Sequence, residues 1–134
     1  MSTFFKENML FQTFIELDTQ ISQLTQHLSS NRFIEVGDDP KLVQEIEKVL
    51  LRVYIKAKAI GPYFDLKVMP LSRANIYFAL IMHVNDALKY LQEVRKRDYG
   101  SRQHTRELIE KLKNCEHSIY DIGGLVTENT EIIQ

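Results

Sequence analysis

The sequence predicts an all-α fold, an antiparallel up-down-up-down four-helix bundle with helices over about residues 3–30, 40–60, 71–97 and 101–122. Three observations carry this. Four segments repeat apolar residues at alternating steps of three and four. No segment of similar length alternates with period two, the mark of a strand. Glycine, proline and capping residues stand at the breaks between segments. The 134 residues give room for one domain, large enough to bury a core without metal or disulfide staples.

In the first segment, Leu10, Phe14, Leu17, Ile21, Leu24 and Leu28 form a heptad seam, widened by Phe11 and Ile15. The second runs through Leu42, Ile46, Val49, Val53, Ala57 and Ile60. It opens at Asp39-Pro40, where a carboxylate can cap the helix and proline occupies a position whose N–H the helix would not use. Gly61-Pro62 is expected to close it through a left-handed glycine. The third seam reads Ala74, Tyr77, Ile81, Val84, Leu88 and Leu91, which leaves Phe78 and Leu80 as apolar excess. Met69-Pro70 or Ser72 starts this helix, and Asp98-Tyr99-Gly100-Ser101 separates it from the fourth, with Ser101 as N-cap. The fourth seam is Leu108, Leu112, Cys115, Ile119 and Ile122, with Gly123-Gly124 as its stop. Residues 1–124 then make the domain, and 125–134 are expected to be a mobile tail. Residues 62–71, PYFDLKVMPL, are apolar for a loop. They are expected to cap the open end of the core; exposed instead, Tyr63, Phe64 and Met69 would be docking anchors.

Cys115 is the single cysteine, so a disulfide within the chain and a cysteine-rich zinc site are both excluded. A reducing, intracellular, cytoplasmic setting is the expectation. The N-terminus lacks the basic and apolar regions of a secretory signal. The most apolar stretch, residues 76–84, is too short to span a bilayer, so no membrane partner is expected. Net charge is −1, but it is segregated: −4 over residues 1–50, +7 over 51–113 and −4 over 114–134. Such a chain can neutralise itself internally or across a homodimer, or offer a basic face to an acidic partner.

No convergent catalytic or metal-binding set emerges. His83 and Asp86 share a helix face, yet two ligands are too few, and the Glu-x-x-His of di-iron bundles is absent. None of His27, His83, His104 and His117 is followed by the lysine and glycine of a phosphotransfer histidine. Glycine-rich phosphate loops are lacking, and Cys115 sits at a core position. Neither cofactor nor metal is expected.

Residues 95–106, RKRDYGSRQHTR, gather Arg95, Lys96, Arg97, Arg102 and Arg106 around Tyr99 and His104. Basic side chains grip phosphates and an aromatic ring can stack a base. Arg97 and His104, with six residues between them of which Asp98 is the first, resemble the active-site motif of the HEPN helical ribonucleases. That resemblance implies Arg97 as charge stabiliser and His104 as acid/base on an RNA phosphodiester. The tyrosine common in that family two residues after the histidine is Arg106 here. The alternative expectation is thus an RNA-binding or RNA-cleaving bundle; without it, His104 is a first-turn residue facing water.

The leading expectation is non-enzymatic: a helical bundle acting through protein–protein binding, as adaptor, regulator or complex subunit. Its partner is a second copy in a homodimer or a larger complex, with nucleic acid second. Phe11, Ile15 and Phe78, with Tyr63, Phe64 and Met69 of the loop, are the expected contact residues.

Overall fold

A computed structural model describes the backbone over residues 3–30, 35–96 and 104–132, and side chains over 9–30, 35–96 and 104–127. Among the described residues there are four long helices and no strand: α1 (Thr3–Ser30), α2 (Pro40–Ile60), α3 (Leu71–Lys96) and α4 (His104–Ile132). The connection into α2 holds a short 3-10 turn at Val36–Asp38, and another at Gly61–Tyr63 follows α2. Packing closes in a cycle. α1 lies against α2 and α4, and α3 lies against α2 and α4, while α1 and α3 make at most marginal contact. No described helix is long and apolar enough to cross a membrane.

One strip of each helix fills the interior. Leu17 and Ile21 of α1, Leu50 and Val53 of α2, Leu80 and Val84 of α3, and Leu112 and Ile119 of α4 are buried in a single cluster. The α1, α2 and α4 seams match their spacing, with Phe14, Leu24, Leu42 and Val49 only partly covered. The α3 seam is buried at Ala74, Tyr77, Val84, Leu88 and Leu91 and departs at one position: Ile81 is only partly covered, while Leu80, expected outside, is fully buried, with Ala87 and Val94 beside it. A helix repeating every 3.6 residues can present either member of an adjacent apolar pair, and α3 carries apolar residues at both positions.

The caps are partly as expected. Asp39 accepts a hydrogen bond from Leu42 N at 3.1 Å and Pro40 occupies the first turn. The connection before it is pinned to α4, because Val36 is buried and its N–H donates to Thr105 Oγ1 at 2.9 Å. Ser101 and Arg97, expected at the ends of the third break, lie outside the described residues.

The two glycine stops act otherwise than expected. Gly61 is right-handed helical, and no described glycine has a positive φ. Its small size is the requirement: a Cβ there would sit 2.5 Å from Tyr77 Oη, whose hydroxyl donates to the Lys58 carbonyl at 3.4 Å. Gly123-Gly124 does not end α4, which continues to Ile132, with Leu125 and Val126 buried. Residues 125–132 are therefore helix rather than tail, and 133–134 lie outside the described residues. Gly123 admits the ring of Phe14, whose Cζ would be 3.1 Å from an added Cβ, whereas Gly124 has nothing within 4 Å.

The loop 62–71 divides. Phe64 is buried and packs on Tyr77 with ring centres 6.3 Å apart, and Tyr63, Leu66 and Met69 are partly covered against the core. Val68 points outward. Phe64 thus caps the core and offers no docking surface.

Two stability measurements check this account. Leu80→Ala should cost about 2–5 kcal/mol and Ile81→Ala distinctly less, read from urea unfolding, since only the former leaves a buried cavity. Gly124→Ala should stabilise by about 0.5–1 kcal/mol through helix propensity, and Gly123→Ala should gain less because Phe14 must move. Destabilisation by Gly124→Ala would mean that α4 stops there.

Candidate protein-docking surface

The helix cycle leaves outward strips, and two are apolar. On α2, Leu51 and Ile55 stand one and two turns beyond Glu47, and on α3, Phe78 follows Tyr77 with Met82 one turn on. Contacts fix how these strips meet. Arg95 pairs with Glu47 at 2.9 Å, and the Tyr77 hydroxyl reaches the Lys58 carbonyl, so all four side chains fall between two α2–α3 cross-links. Leu51 is 41% exposed, Ile55 65%, Phe78 50% and Met82 59%. Phe78 is held edge-on against Tyr77 at 5.6 Å, and Lys58 lies over the Tyr54 ring at 5.3 Å. An ordered aromatic beside flexible methionine and aliphatic side chains is well suited to dry contact with another protein.

The second strip lies along the seam of α1 and α4. Phe11 and Ile15 flank Phe14, and Tyr120 is one turn before Gly123, the residue that Phe14 meets. Phe11, Ile15 and Tyr120 are exposed. Because α1 and α3 are diagonal in the cycle, Phe11 and Ile15 cannot share a surface with Phe78. The contact residues expected on the first and third helices therefore fall on two separate patches, each completed by a neighbouring helix. Leu51, Ile55 and Met82 were hidden from sequence reading because they border inward seams; the i,i+4 spacing of Leu51 and Ile55 was the available signal.

The basic corner is partly engaged. Arg97, Tyr99 and Arg102 lie outside the described residues. Arg95 pairs with Glu47, while Lys96 and Arg106 are exposed. His104 does not face water. Its Nδ1 shares a hydrogen bond with Tyr90 Oη at 2.9 Å, and its Nε2 is buried without a partner among the described residues. Lys111 sits 5.4 Å from the Tyr90 ring centre and pairs with Asp86 at 2.9 Å. Burial first, then hydrogen bonding and repulsion from Glu107, with Glu35 and Glu93 adding, push the Tyr90 phenol well above its ordinary range, so it remains a neutral donor.

Other chemistry-bearing side chains stay apart. Among the described residues no group of three or more His, Cys, Asp or Glu stands together as a metal site, and His83 is half-buried in α3. Burial, with Asp86 and Glu116 adding repulsion, pushes the Cys115 thiol up to about 12, which leaves no thiolate at neutral pH. A groove between α1 and α2, lined by Gln20, Gln23, Leu24, His27, Val49 and Arg52, mixes amide, cationic and aliphatic groups without a focused arrangement. No protein-family model, curated protein or solved structure matches the chain.

Cys115 gives a pH test. In the folded chain the thiol keeps its proton to about pH 12, whereas in the unfolded chain it ionises near pH 8.5. A raised folded pKa gives stability that is present below the unfolded value and is lost as pH rises toward the folded one. The urea midpoint should hold from about pH 7 to 8 and fall above about pH 9, with Tyr77 and Tyr90, both raised, adding the same sign nearer pH 10. Cys115→Ala should remove the earliest part of that fall; an unchanged profile would show that the thiol ionises freely when folded.

Proposed function

We propose that the chain is an up-down-up-down antiparallel four-helix bundle that works by protein–protein binding, as an adaptor, regulator or complex subunit. Antiparallel order is supported by paired contacts that advance along one helix and retreat along the next. Between α2 and α3 these are Tyr77 with Lys58 and Arg95 with Glu47; between α3 and α4 they are Asp86 with Lys111 and Tyr90 with His104.

The binding reading rests on the strip of Leu51, Ile55, Phe78 and Met82, exposed together along the α2/α3 face. Four large apolar side chains left in water on adjacent helices are a liability unless covered. A basic, catalytic use of the 95–106 corner is less supported, since Arg95 is committed to Glu47 and His104 to Tyr90. Self-association supplies the first partner. Light scattering at micromolar concentration should give a mass of at least twice 15.7 kDa, and Ile55→Glu should bring it down toward the single-chain value. Equal masses for the two proteins would remove the α2/α3 face as the contact.

A further inference from the structure

The apolar faces differ in the charge around them. α2 and α3 together hold nine Lys/Arg against four Asp/Glu, a balance of +5, while α1 and α4 hold four against nine, a balance of −5. The helix cycle puts α2 and α3 on one side of the molecule and α1 and α4 on the other. The segregation seen along the sequence is therefore a segregation in space.

The strips carry the same asymmetry. On α2, Lys48, Leu51, Ile55 and Lys58 follow one another at steps of 3, 4 and 3, and on α3, Lys89 stands two turns beyond Met82; these three lysines are exposed. On α1, Phe11, Ile15 and the exposed Asp18 follow at steps of 4 and 3, and on α4, Glu116 precedes Tyr120 by one turn. Asp86, exposed one turn beyond Met82 and paired with Lys111, and Glu93 and Lys113 stand beside the two faces with the opposite sign, and the overall balances remain +5 and −5.

We propose that the α2/α3 face of one copy docks on the α1/α4 face of another. This rests on the protein-binding reading and names the partner surface within it. Two α2/α3 faces brought together by a two-fold axis would set lysines against lysines, which like-charge repulsion disfavours. The α1/α4 face offers Phe11, Ile15 and Tyr120 as apolar cover, with Asp18 and Glu116 to meet the lysines. The contact is heterologous, the same molecule presenting its two halves on opposite sides, so a docked pair leaves one face of each kind open. Growth continues beyond the dimer unless the rotation between copies closes a ring.

The test pairs two variants at the most exposed positions, where folding is least disturbed: Ile55→Glu on the basic face and Tyr120→Lys on the acidic face. Helical content and urea midpoint by circular dichroism confirm that each is folded, and Phe78→Glu and Phe11→Lys replace either one that is not. Sedimentation then reads mass against concentration at low and high salt. Wild type should grow past the dimer as concentration rises, and should lose much of this at about 1 M salt, where charges are screened beyond about 3 Å. Each variant alone should associate at least about tenfold more weakly than wild type. Mixed one to one, they should form a heterodimer that grows no further, since each retains the face that the other lacks. If Tyr120→Lys alone associates as wild type does while Ile55→Glu does not, the α2/α3 face binds itself, and the heterologous contact is overturned while the docking-face reading stands. If Ile55→Glu associates as wild type does, the docking-face reading falls as well. A wild type that stays a single chain throughout the range overturns the proposal outright.

Discussion

Each of the four helices has to hide an apolar strip from water, and the strips fit only around a shared interior. Leu17, Leu50, Leu80 and Leu112 are fully buried there, one from each helix. Burial of apolar surface at about 25 cal/mol per Å² is the dominant gain available to a chain with no disulfide and no clustered metal ligands among its described residues. The other structural details follow from bringing the strips close. Gly61 lets Tyr77 lie over the end of α2, Gly123 lets Phe14 lie over α4, and Val36 is drawn inward with its N–H satisfied by Thr105. A buried amide without such an acceptor would cost several kilocalories per mole, so the pinned connection is a condition of the packing.

The same geometry explains the outward strips. A helix within a four-membered cycle turns only part of its circumference inward, and residues more than about a quarter-turn off the seam meet solvent. Leu51, Ile55, Phe78 and Met82 fall in that outer sector, as do Phe11, Ile15 and Tyr120 on the other side. Ion pairs such as Lys111–Asp86 cross between the two halves, but surface pairs of this kind contribute little to stability. Their arrangement matters more for which surfaces can meet than for holding one molecule together.

Much of the fold was legible. The seams of α1, α2 and α4 and the Asp39-Pro40 start of α2 could be read from spacing and capping chemistry, because both are local. What failed was non-local. Glycine pairs look alike whether they end a helix or admit a ring from a neighbour, so only the position of Phe14 reveals what Gly123 does. In α3 the choice between Leu80 and Ile81 depends on how the helix is rotated against α2 and α4. Phe11, Ile15 and Phe78 were visible as apolar excess, but which helices share a face is a property of the cycle rather than of any one segment. The hydrogen bond between Tyr90 and His104 joins two helices across a break, where spacing within one helix carries no signal.

The closing of α1 on α4 also has a bearing on synthesis. Of the four helices α1 leaves the ribosome before the others and rests on α4, which leaves after them, and the hydrogen bond from Val36 to Thr105 spans 69 residues of chain. α2 and α3 can pack as soon as both have emerged, but one side of α1, including Phe14, has no cover until α4 arrives. For that interval the nascent chain carries a long amphipathic helix with its apolar strip half open, the kind of surface that chaperones bind and that drives premature association.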